Sequence, residues 1–343
     1  MTLVASAVPL AQAYDLALVD LDGVAYRGPV AIPLAPESLA AARDVGMAIA
    51  FITNNASREP TTVADHLVSL GIAATADEVL TSAQAAAALL GTDLPPGARV
   101  LAIGGPGLRA AVREAGFTVV SSADDEPVAV VQGFSPDLGW RDLAEASYAV
   151  QRGAHYVVSN LDLTLPNERG LAPGNGSLVG AVVNATGVVP RSAGKPEPAM
   201  YRLAVDRRGA RRPLVVGDRL DTDLGGARAA GYPGLHVFTG VSGARDAVLA
   251  AAGERPTYVS VDLRGLLEAH PAPEAGPDGW WTCGTRAARA EHGRLHLDGD
   301  GVVDIDLVRA ACGAAWAAAD AGTPVRPETV PDLAPVTSPV HGH

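Results

Sequence analysis

The sequence predicts an α/β fold in which parallel sheets are covered by helices. Short apolar runs alternate with Ala- and Leu-rich helical segments along most of the 343 residues. This alternation is typical of parallel sheets with helices on both faces. Hydrophobic residues make up 48% of the chain and charged residues 19%, so a sizeable buried core is expected. The length suits two domains and a small third piece.

The first elements of this pattern lead to two polar strand ends. One apolar run stops at Asp20 and a second stops at Thr53, and both are predicted to be buried strands. In parallel sheets, ligands bind beyond the carboxyl ends of the strands. Asp20 and Thr53 are therefore placed where a site would form. The four predicted elements are strand 16–19, helix 36–46, strand 47–53 and helix 61–70.

A second set of alternating elements interrupts the first. It runs from about residue 81 to 190, after which the first style of helix and strand returns and Asp218 follows a strand. We interpret this as one core domain interrupted by an inserted α/β domain. The predicted elements are strands 99–103, 128–132 and 156–159 with helices 107–115 and 142–153, then helix 198–205, strand 213–216, helix 224–230 and strand 234–238.

The character of the sequence changes after residue 268. A stretch rich in Pro, Gly and acidic residues predicts a linker. Trp280-Trp281, a hairpin turning at 291–293 and an Ala-rich helix over 304–319 predict a small α+β extension. No catalytic motif follows Gly279, so this extension is expected to be dispensable for the chemistry. The predicted boundaries are 1–82 and 191–268 for the core, 83–190 for the inserted domain, 269–279 for the linker and 280–343 for the C-terminal module and tail.

Charge and cysteine content exclude several classes of protein. The net charge of −12 argues against nucleic acid and anionic membranes as partners, and no stretch approaches the roughly 20 apolar residues that span a bilayer. Cys283 and Cys312 are too few for a disulfide framework and lie at no metal-ligand spacing. The apolar start, 2–13, lacks the positive region of a signal peptide. We therefore expect a cytoplasmic protein.

Two carboxylates two residues apart mark the end of the first predicted strand. They belong to the string Asp20-Leu21-Asp22-Gly23. An aspartate is ionised at neutral pH, because its ordinary pKa is about 3.9, so it can attack phosphorus without a separate base. Gly23 allows a sharp turn that would point Asp22 back into the site. The string is suited to phosphate-ester chemistry, which needs a nucleophile and a general acid for the leaving alkoxide.

Further carboxylates follow a later predicted strand. The segment 217–223 contains Asp218, Asp221 and Asp223. Adjacent carboxylates would repel an anionic substrate unless a cation lies between them, and hard oxygen ligands favour Mg²⁺. The sequence therefore indicates a magnesium site.

Two further strings could bind the phosphate group. Thr53, Asn54 and Asn55 offer a hydroxyl and exposed backbone N–H groups at a strand end, which suits phosphate oxygens. Lys195 supplies a positive charge just before Pro196. Proline is favoured in the first turn of a helix, so we expect Lys195 to lie at a helix start, whose dipole also favours an anion.

In this order and at these strand ends, the motifs DxDG, TNN, GKP and GDxxxTDxxGA resemble those of haloacid dehalogenase (HAD) superfamily phosphatases of subclass IIA. That subclass includes phosphoglycolate, nitrophenyl-phosphate and pyridoxal-phosphate phosphatases. The resemblance covers about residues 14–267, and no motif departs from the pattern. It implies a Rossmann-like three-layer core with an inserted α/β cap of the C2 type, and hydrolysis through an aspartyl-phosphate.

The resemblance also implies a role for each matching residue. Asp20 would be the nucleophile and Asp22 the general acid and base. Thr53, Asn54 and Lys195 would bind the transferring phosphoryl group.

The resemblance implies the metal ligands as well. Mg²⁺ would be held by the carboxylate of Asp20, the backbone carbonyl of Asp22 and the carboxylate of Asp218. Asp223 would support the metal or its waters, and residues 24–28 would form a short flap beside the nucleophile.

The inserted domain is similar to the α/β cap of this family. The string Ser159-Asn160-Leu161-Asp162 resembles the cap loop that reaches the substrate, so we expect Asn160 and Asp162 to contact it. The alternative is an ordinary Asx-rich turn. A large cap would screen out macromolecules, which favours a small phosphorylated metabolite as the partner. We expect a monomer, or a homodimer formed through the cap.

Two glycine-rich strings look like nucleotide-binding loops. Neither Gly-Gly-Pro-Gly at 104–107 nor Gly-Asn-Gly-Ser at 174–177 is followed by the lysine of a Walker motif. We interpret both as turns that lead into helices of the cap.

Three functions compete for this sequence. A phosphatase is favoured over a phosphomutase, because mutases of this superfamily usually carry a small helical cap. It is also favoured over a catalytically dead binding module, because the catalytic motifs are complete. The composition and the C-terminal module are similar to those of actinobacterial relatives that act on glycerol 3-phosphate, which is the substrate we expect. The alternatives are 2-phosphoglycolate, pyridoxal phosphate and sugar phosphates.

Overall fold

The structure is a computed structural model that describes residues 2–167, 169–299 and 301–335. Residues 300 and 336–343, which belong to the predicted C-terminal module and tail, lie outside the described residues. Parallel sheets alternate with helices along most of the chain. The predicted α/β class is therefore confirmed.

Every strand predicted from an apolar run is present close to its predicted position, and several strands that were not predicted accompany them. Within the described residues they are β1 (Leu16–Asp20), β2 (Tyr26–Arg27), β3 (Val30–Ala31), β4 (Ala48–Thr53), β5 (Val79–Thr81), β6 (Arg99–Ile103), β7 (Thr118–Val120), β8 (Ala129–Gln132), β9 (His155–Val158), β10 (Thr164–Asn167), β11 (Gly170–Pro173), β12 (Arg191–Ser192), β13 (Pro213–Gly217), β14 (Gly234–Val237), β15 (Tyr258–Ser260), β16 (Glu274–Ala275), β17 (Trp281–Cys283), β18 (Arg286–Glu291) and β19 (Arg294–Leu297).

The helices of the same described residues follow the predicted order too. They are α1 (Leu10–Ala13), α2 (Ala35–Asp44), α3 (Pro60–Ser69), α4 (Ser82–Leu90), α5 (Pro106–Glu114), α6 (Trp140–Gln151), α7 (Asn175–Thr186), α8 (Ala199–Arg208), α9 (Gly225–Ala230), α10 (Ala244–Val248) and α11 (Ile305–Asp320).

The chain divides into two compact units. The first comprises Met1–Ala50, Leu70–Ala73 and Arg208–His343, and the second comprises Phe51–Ser69 and Ala74–Arg207. The predicted domain boundaries at residues 82, 190 and 268 stay a prediction.

A parallel sheet organises the first unit. Its strands lie in the order β15-β14-β13-β1-β4, and β1 pairs with β13 in parallel, with Val19 opposite Val216. The apolar residues of β1 and β13 are almost fully buried. Because parallel strands end at the same edge of a sheet, Asp20 at the end of β1 and Asp218 just after β13 meet there.

The C-terminal module belongs to the first unit. Strands β16, β17, β18 and β19 form an antiparallel sheet in that order, and α11 packs on β17 and β18. Strand β16 lies inside the predicted linker. The hairpin turns at His292 and Gly293, both with positive φ, as the sequence predicts. Asp304 caps α11 by accepting a hydrogen bond from the Leu307 N–H.

Helix α11 also shares a hydrophobic core with the rest of this unit. Trp316 is 1% exposed, and its indole Nε1–H donates to the Ala247 carbonyl at 3.0 Å. Arg255 lies over the same ring. The module is therefore packed on the core.

The second unit contains the inserted sheet. Its strands lie in the order β12-β9-β8-β6-β7, and every registered pair is parallel. A two-stranded hairpin, β10 and β11, follows β9, and residues 51–53 of β4 pair in parallel with β5. The helices α4 to α7 pack against this sheet or against one another. The predicted alternation of strands and helices in this region is confirmed.

One local prediction is wrong. The predicted helix 198–205 is present as α8, which begins at Ala199, but Lys195 does not lie at its first turn: it precedes the helix in a turn that contains a cis Lys195–Pro196 peptide bond. The predicted helix 224–230 is present as α9, and a single π-helical turn, Leu220–Leu224, precedes it. None of the helices in the described part of the chain is long and apolar enough to cross a membrane.

Candidate active site

Three carboxylates converge in the first unit. Asp20, Asp218 and Asp223 each place a side-chain oxygen within 4.8 Å of the others. Asp20 ends β1, Asp218 follows β13, and Asp223 comes from the π-helical turn. Asp218 and Asp223 are each only 1% exposed. Among the described residues this is the only cluster of three or more His, Cys, Asp or Glu residues with such spacing.

The cluster is suited to a cation. Three carboxylates at this distance repel one another when no positive charge lies between them. A purely carboxylate donor set matches a hard divalent ion such as Mg²⁺. The residues present therefore fit the metal that the sequence indicates, and this cluster could hold it.

Backbone groups fix the orientation of Asp218. Its Oδ2 accepts a hydrogen bond from the Val241 N–H at 2.7 Å, and its carbonyl accepts one from the Ser242 N–H at 3.1 Å. Two glycines leave room for the carboxylate: a Cβ on Gly240 would lie 1.8 Å from its Oδ2 and one on Gly23 would lie 2.5 Å from the same atom. The segment 239–243, here called the Asp218 loop, thus holds the carboxylate in one position.

Asp223 is oriented by its own turn. Its Oδ2 accepts from the Arg219 N–H at 3.2 Å. A Cβ on Gly217 would lie 2.2 Å from the Asp223 Cβ, so the side chain packs directly on the end of β13. The GD motif is therefore a packing requirement as well as a source of a carboxylate.

Asp22 is not one of the three clustered carboxylates. Its residue is exposed, and the turn behind it is closed by the Gly23 N–H, which donates to the Tyr26 carbonyl at 2.8 Å. Gly23 has φ of +83°, a conformation that favours glycine, as the sequence predicts. Residues of the predicted flap lie in a small antiparallel hairpin formed by β2 and β3, in which Arg27 donates to the Thr239 carbonyl. The role of residues 24–28 as a flap stays a prediction.

His236 is a site residue that sequence reasoning missed. Its Nε2 donates to the carbonyl of Ser242 at 3.0 Å and lies 3.3 Å from that of Asp218. Burial lowers the pKa of this imidazole to about 4, so it is neutral and holds the Asp218 loop without adding charge. A histidine inside a buried apolar strand gave no signal, because its neighbours predict only a strand.

The Thr53-Asn54-Asn55 string lies in the second unit, at the end of β4. Thr53 is 9% exposed, and its hydroxyl accepts a hydrogen bond from the Asn55 N–H at 3.1 Å. The Asn55 side chain accepts from the backbone N–H and the hydroxyl of Ser57, both at 2.8 Å. Asn55 is an exposed residue, and its side-chain oxygen is used in contacts within its own loop.

Asn54 contacts Lys195 and Asp162 in the same unit. Its Oδ1 accepts from the Lys195 backbone N–H at 2.8 Å, and its Nδ2 donates to the Lys195 carbonyl at 3.2 Å and to Asp162 Oδ2 at 3.1 Å. Lys195 is 5% exposed. The structure thus brings together three of the predicted substrate-binding residues.

The cap loop forms an Asx turn. Asn160 is 4% exposed, its Oδ1 accepts from the Asp162 N–H at 3.2 Å, and its Nδ2 donates to the Asn54 carbonyl at 2.7 Å. The alternative interpretation of this string, a local turn, therefore describes its backbone. Contact of Asn160 and Asp162 with substrate stays a prediction.

Two protein-family models match the chain. One, described as haloacid dehalogenase-like hydrolase, matches residues 17–118. A second, described as HAD-hydrolase-like, matches residues 192–266. Together the matched residues include Asp20, Thr53, Lys195 and Asp218.

Curated relatives are phosphatases. The chain is 46% identical over 324 residues to a D-glycerol 3-phosphate phosphatase of Mycobacterium tuberculosis, and the match covers 93% of this chain and 90% of that protein. It is also 38% identical over 194 residues to an acid sugar phosphatase of Staphylococcus saprophyticus, which covers 56% of this chain and 73% of that protein.

Solved structures give the same result. A crystal structure of the M. tuberculosis glycerol phosphate phosphatase in complex with magnesium is 46% identical, has a TM-score of 0.83 and covers 93% of this chain and 94% of its own. A thermostable NPPase of Geobacillus stearothermophilus is 35% identical, has a TM-score of 0.66 and covers 73% of this chain and 96% of its own.

Proposed function

Because this chain belongs to the haloacid dehalogenase-like hydrolases, we propose that it is a Mg²⁺-dependent phosphatase that hydrolyses glycerol 3-phosphate through an aspartyl-phosphate. The observation that carries the chemistry is the cluster of three carboxylates formed by Asp20, Asp218 and Asp223. The substrate is supported by the relative that is 46% identical across 93% of this chain.

The reaction proceeds in two displacements. A carboxylate oxygen of Asp20 attacks phosphorus, and the bond between phosphorus and the ester oxygen breaks as Asp22 gives its proton to the leaving alkoxide. Asp22 then takes a proton from water, whose oxygen attacks the same phosphorus and releases inorganic phosphate. Asp20 is regenerated as a carboxylate, and Asp22 is again protonated.

The proposed metal ligands are those that the family resemblance implies. The Asp20 and Asp218 carboxylates and the Asp22 backbone carbonyl would hold Mg²⁺, with Asp223 binding the ion or its waters. When bound, the ion supplies the positive charge that lets clustered carboxylates accept a phosphate dianion. The Asp218 loop orients its carboxylate for this task through the Val241 N–H.

The phosphoryl group is bound by residues of the second unit. Lys195 supplies charge, and Thr53, Asn54 and Asn55 supply a hydroxyl and backbone N–H groups. The cap loop with Asn160 and Asp162 is proposed to meet the leaving group, which makes it the part of the protein that distinguishes glycerol from other leaving groups.

The remaining features of the proposal concern the protein as a whole. The boundaries 1–82, 83–190, 191–268 and 280–343 describe core, cap, core and C-terminal module. The partner is a small phosphorylated metabolite, and the protein is a monomer or a homodimer through its cap. A cytoplasmic location is supported by Cys283 and Cys312, which are free and buried.

Asp20→Asn tests the nucleophile. The amide has nearly the same shape but cannot attack phosphorus, so phosphate release should fall by more than a hundredfold while the melting temperature is maintained. Asp221→Asn is the matched control, because Asp221 pairs with Arg219 at the surface and has no assigned role. If Asp20→Asn retains more than about a hundredth of the wild-type rate, the assignment is wrong.

A phosphate-release panel tests the substrate and the metal. Glycerol 3-phosphate should give the highest kcat/KM among itself, 2-phosphoglycolate, pyridoxal phosphate and sugar phosphates. EDTA should abolish activity and Mg²⁺ restore it, whereas Ca²⁺ should not, because it prefers longer bonds and more ligands. A kcat/KM that is tenfold higher for another phosphate ester would contradict glycerol 3-phosphate as the substrate. Full activity in EDTA would contradict the requirement for Mg²⁺.

A further inference from the structure

The side-chain amide of Asn54 is fully used in contacts with protein. It has one oxygen acceptor and two N–H donors. The oxygen accepts from the Lys195 N–H at 2.8 Å, and the nitrogen donates to the Lys195 carbonyl at 3.2 Å and to the Asp162 carboxylate at 3.1 and 3.4 Å. The opposite orientation of the amide would place a donor against the Lys195 N–H, so the network itself fixes the amide.

The backbone of Asn54 is held as well. Its carbonyl accepts from the Ser82 hydroxyl at 2.6 Å and from Asn160 Nδ2 at 2.7 Å. The Asn54 side chain is therefore held rigidly between Lys195 and Asp162. We call this set of contacts the Asn54 bracket.

The Asn54 bracket fixes the main chain of Lys195, whose own side chain is long. The lysine stem has four rotatable carbons and loses much rotamer freedom when its ammonium is placed. Beside it, a Cβ on Gly194 would lie 2.4 Å from the Ser159 carbonyl and 2.8 Å from Asn54 Oδ1. The chain next to Lys195 thus reaches Asn54 only because Gly194 has no side chain.

The other end of the bracket, Asp162, is held by one of the glycine-rich strings. A Cβ on Gly174 would lie 2.3 Å from the Asp162 carbonyl and one on Gly176 would lie 2.3 Å from the Leu161 carbonyl. Between them, Asn175 is 1% exposed and donates to the Asn160 carbonyl at 2.7 Å. The Gly-Asn-Gly string is a cradle for the backbone of the cap loop.

We propose that Asn54 is a positioning residue that links the cap loop to Lys195: its amide transmits the position of Asp162 to the lysine main chain and so sets the phosphate affinity of the site. This rests on the proposed function, in which Lys195 binds the phosphoryl group. It assigns the Asn54 side chain to Lys195 and leaves only its backbone N–H for phosphate.

The test is a double-mutant cycle between Asn54 and Asp162. Asn54→Asp replaces the donating nitrogen with an oxygen and sets two carboxylates against each other about 3 Å apart. Adding Asp162→Asn restores a donor to that contact, although the bond to the Lys195 carbonyl stays lost. The readout is the Kd of inorganic phosphate, measured by calorimetry in Mg²⁺, with p-nitrophenyl phosphate turnover in parallel.

Asn54→Asp should weaken phosphate binding at least tenfold, and the double variant should recover at least a third of that loss on a logarithmic scale. The single variant Asp162→Asn closes the cycle, because it measures what removal of that negative charge does to phosphate affinity by itself. Recovery in the double variant must exceed the gain in this single variant, and a side chain that contacts phosphate directly, or serves only stability, gives no such excess. Asn54→Ser, which lacks both charge and reach, should bind phosphate weakly whether or not Asp162→Asn is present. This keeps the test available if Asn54→Asp folds poorly.

Tyr156→Phe controls for general destabilisation. It removes a buried hydrogen bond to Gln132 in the same unit and should lower the melting temperature with phosphate affinity within about twofold of wild type. Two outcomes overturn this inference alone. One is a phosphate affinity of Asn54→Asp equal to that of wild type, and the other is a double variant that binds phosphate no more tightly than Asn54→Asp. A wild-type protein that neither binds phosphate nor hydrolyses p-nitrophenyl phosphate overturns the proposed function and this inference with it.

Discussion

At the scale of single residues, the carboxylate cluster depends on glycines, whose lack of a side chain leaves room for Asp218. Gly23 and Gly240 both face Asp218, and neither position has room for a methyl group. The carboxylate is therefore enclosed by backbone, which supplies the Val241 N–H without the mobility of a side-chain donor. A ligand held in this way binds its ion with little reorganisation.

Gly240→Ala should damage the metal site specifically. Its Cβ would lie 1.8 Å from Asp218 Oδ2 and 2.6 Å from Asp218 Cβ, so either the carboxylate or the loop must move. We expect Mg²⁺ to bind at least tenfold more weakly, which corresponds to about 1.4 kcal/mol, as measured by calorimetry without substrate. Gly253→Ala is the control, because its Cβ would meet nothing within 4 Å. Equal Mg²⁺ affinities in the two variants would contradict the role given to the loop.

His270 should make the protein less stable in acid. Burial, with a smaller contribution from the nearby Arg309 charge, lowers the pKa of its imidazole from 6.5 to about 4, and its Nδ1 accepts a hydrogen bond from Arg309. The unfolded chain takes up a proton near pH 6.5 but the folded chain does not until about pH 4. The stabilisation is therefore complete above pH 6.5 and is lost as pH falls towards 4.

Denaturant unfolding at pH 7 and pH 4.5 measures this effect. One pKa unit is worth about 1.4 kcal/mol, so the wild type should lose about 2 kcal/mol more than His270→Gln between these pH values. The glutamine can still donate to the Gly265 carbonyl, as the imidazole Nε2 does, but it does not titrate. Parallel losses in both proteins would show that the folded chain protonates His270 over the same pH range as the unfolded chain, which would contradict the lowered pKa.

At the scale of elements, short-range patterns predicted most of what positions the acidic cluster. The apolar run of β1 ends in Asp20 and that of β13 is followed by Asp218, and parallel pairing brings those ends together. Thr222 and Asp223 of the π-helical turn were visible as part of a motif, but the helical form of the turn was not. Lys195 was expected at the first turn of a helix, but it lies in a turn before α8. The contacts of its main chain with Asn54 override the local helix preference of Pro196.

The contacts of Asn54 could not be predicted from the sequence. They join residues 141 and 108 positions apart, and an asparagine at a strand end has many possible partners. The same reason applies to Gly174 and Gly176, which look like a phosphate loop because close approach of backbone requires glycine in both cases. Here the approaching group is the cap loop.

Gly176→Ala should test whether that cradle matters for catalysis. Its Cβ would lie 2.3 Å from the Leu161 carbonyl, which must displace the cap loop. We expect kcat/KM for glycerol 3-phosphate to fall at least tenfold. p-Nitrophenyl phosphate should lose activity too, because the displaced loop also carries Asp162, which bonds Asn54.

Gly180→Ala is the control on the same helix, α7, since nothing lies within 4 Å of its Cβ. It should keep activity within about twofold and gain up to about 1 kcal/mol of stability from the higher helix propensity of alanine. Loss confined to glycerol 3-phosphate in Gly176→Ala would mean that the loop acts only on the leaving group.

At the scale of the whole molecule, the C-terminal module raises the question of why a phosphatase carries residues beyond its catalytic motifs. The family models end at residue 266, yet the first unit extends through the module. Helix α11 and α10 share one hydrophobic cluster with β15, and Arg245 of α10 donates to the carbonyls of Pro327 and Val330. The module therefore contributes to the core even though it supplies no residue of the proposed chemistry.

Trp316→Phe should separate stability from chemistry. The change removes the indole N–H that donates to the Ala247 carbonyl and leaves a gap in a side chain that is 1% exposed. We expect a loss of about 1–3 kcal/mol in the free energy of unfolding, measured by denaturant titration. The kcat at 20 °C should stay within about twofold of wild type, because the carboxylate cluster receives no group from α11.

Trp280→Phe is the matched control: Trp280 is half-buried and stacks with Arg289, so its loss should cost well under 1 kcal/mol. If folded Trp316→Phe instead loses most of its kcat while Trp280→Phe does not, the module positions the Asp218 loop through α10 and is part of the catalytic machinery.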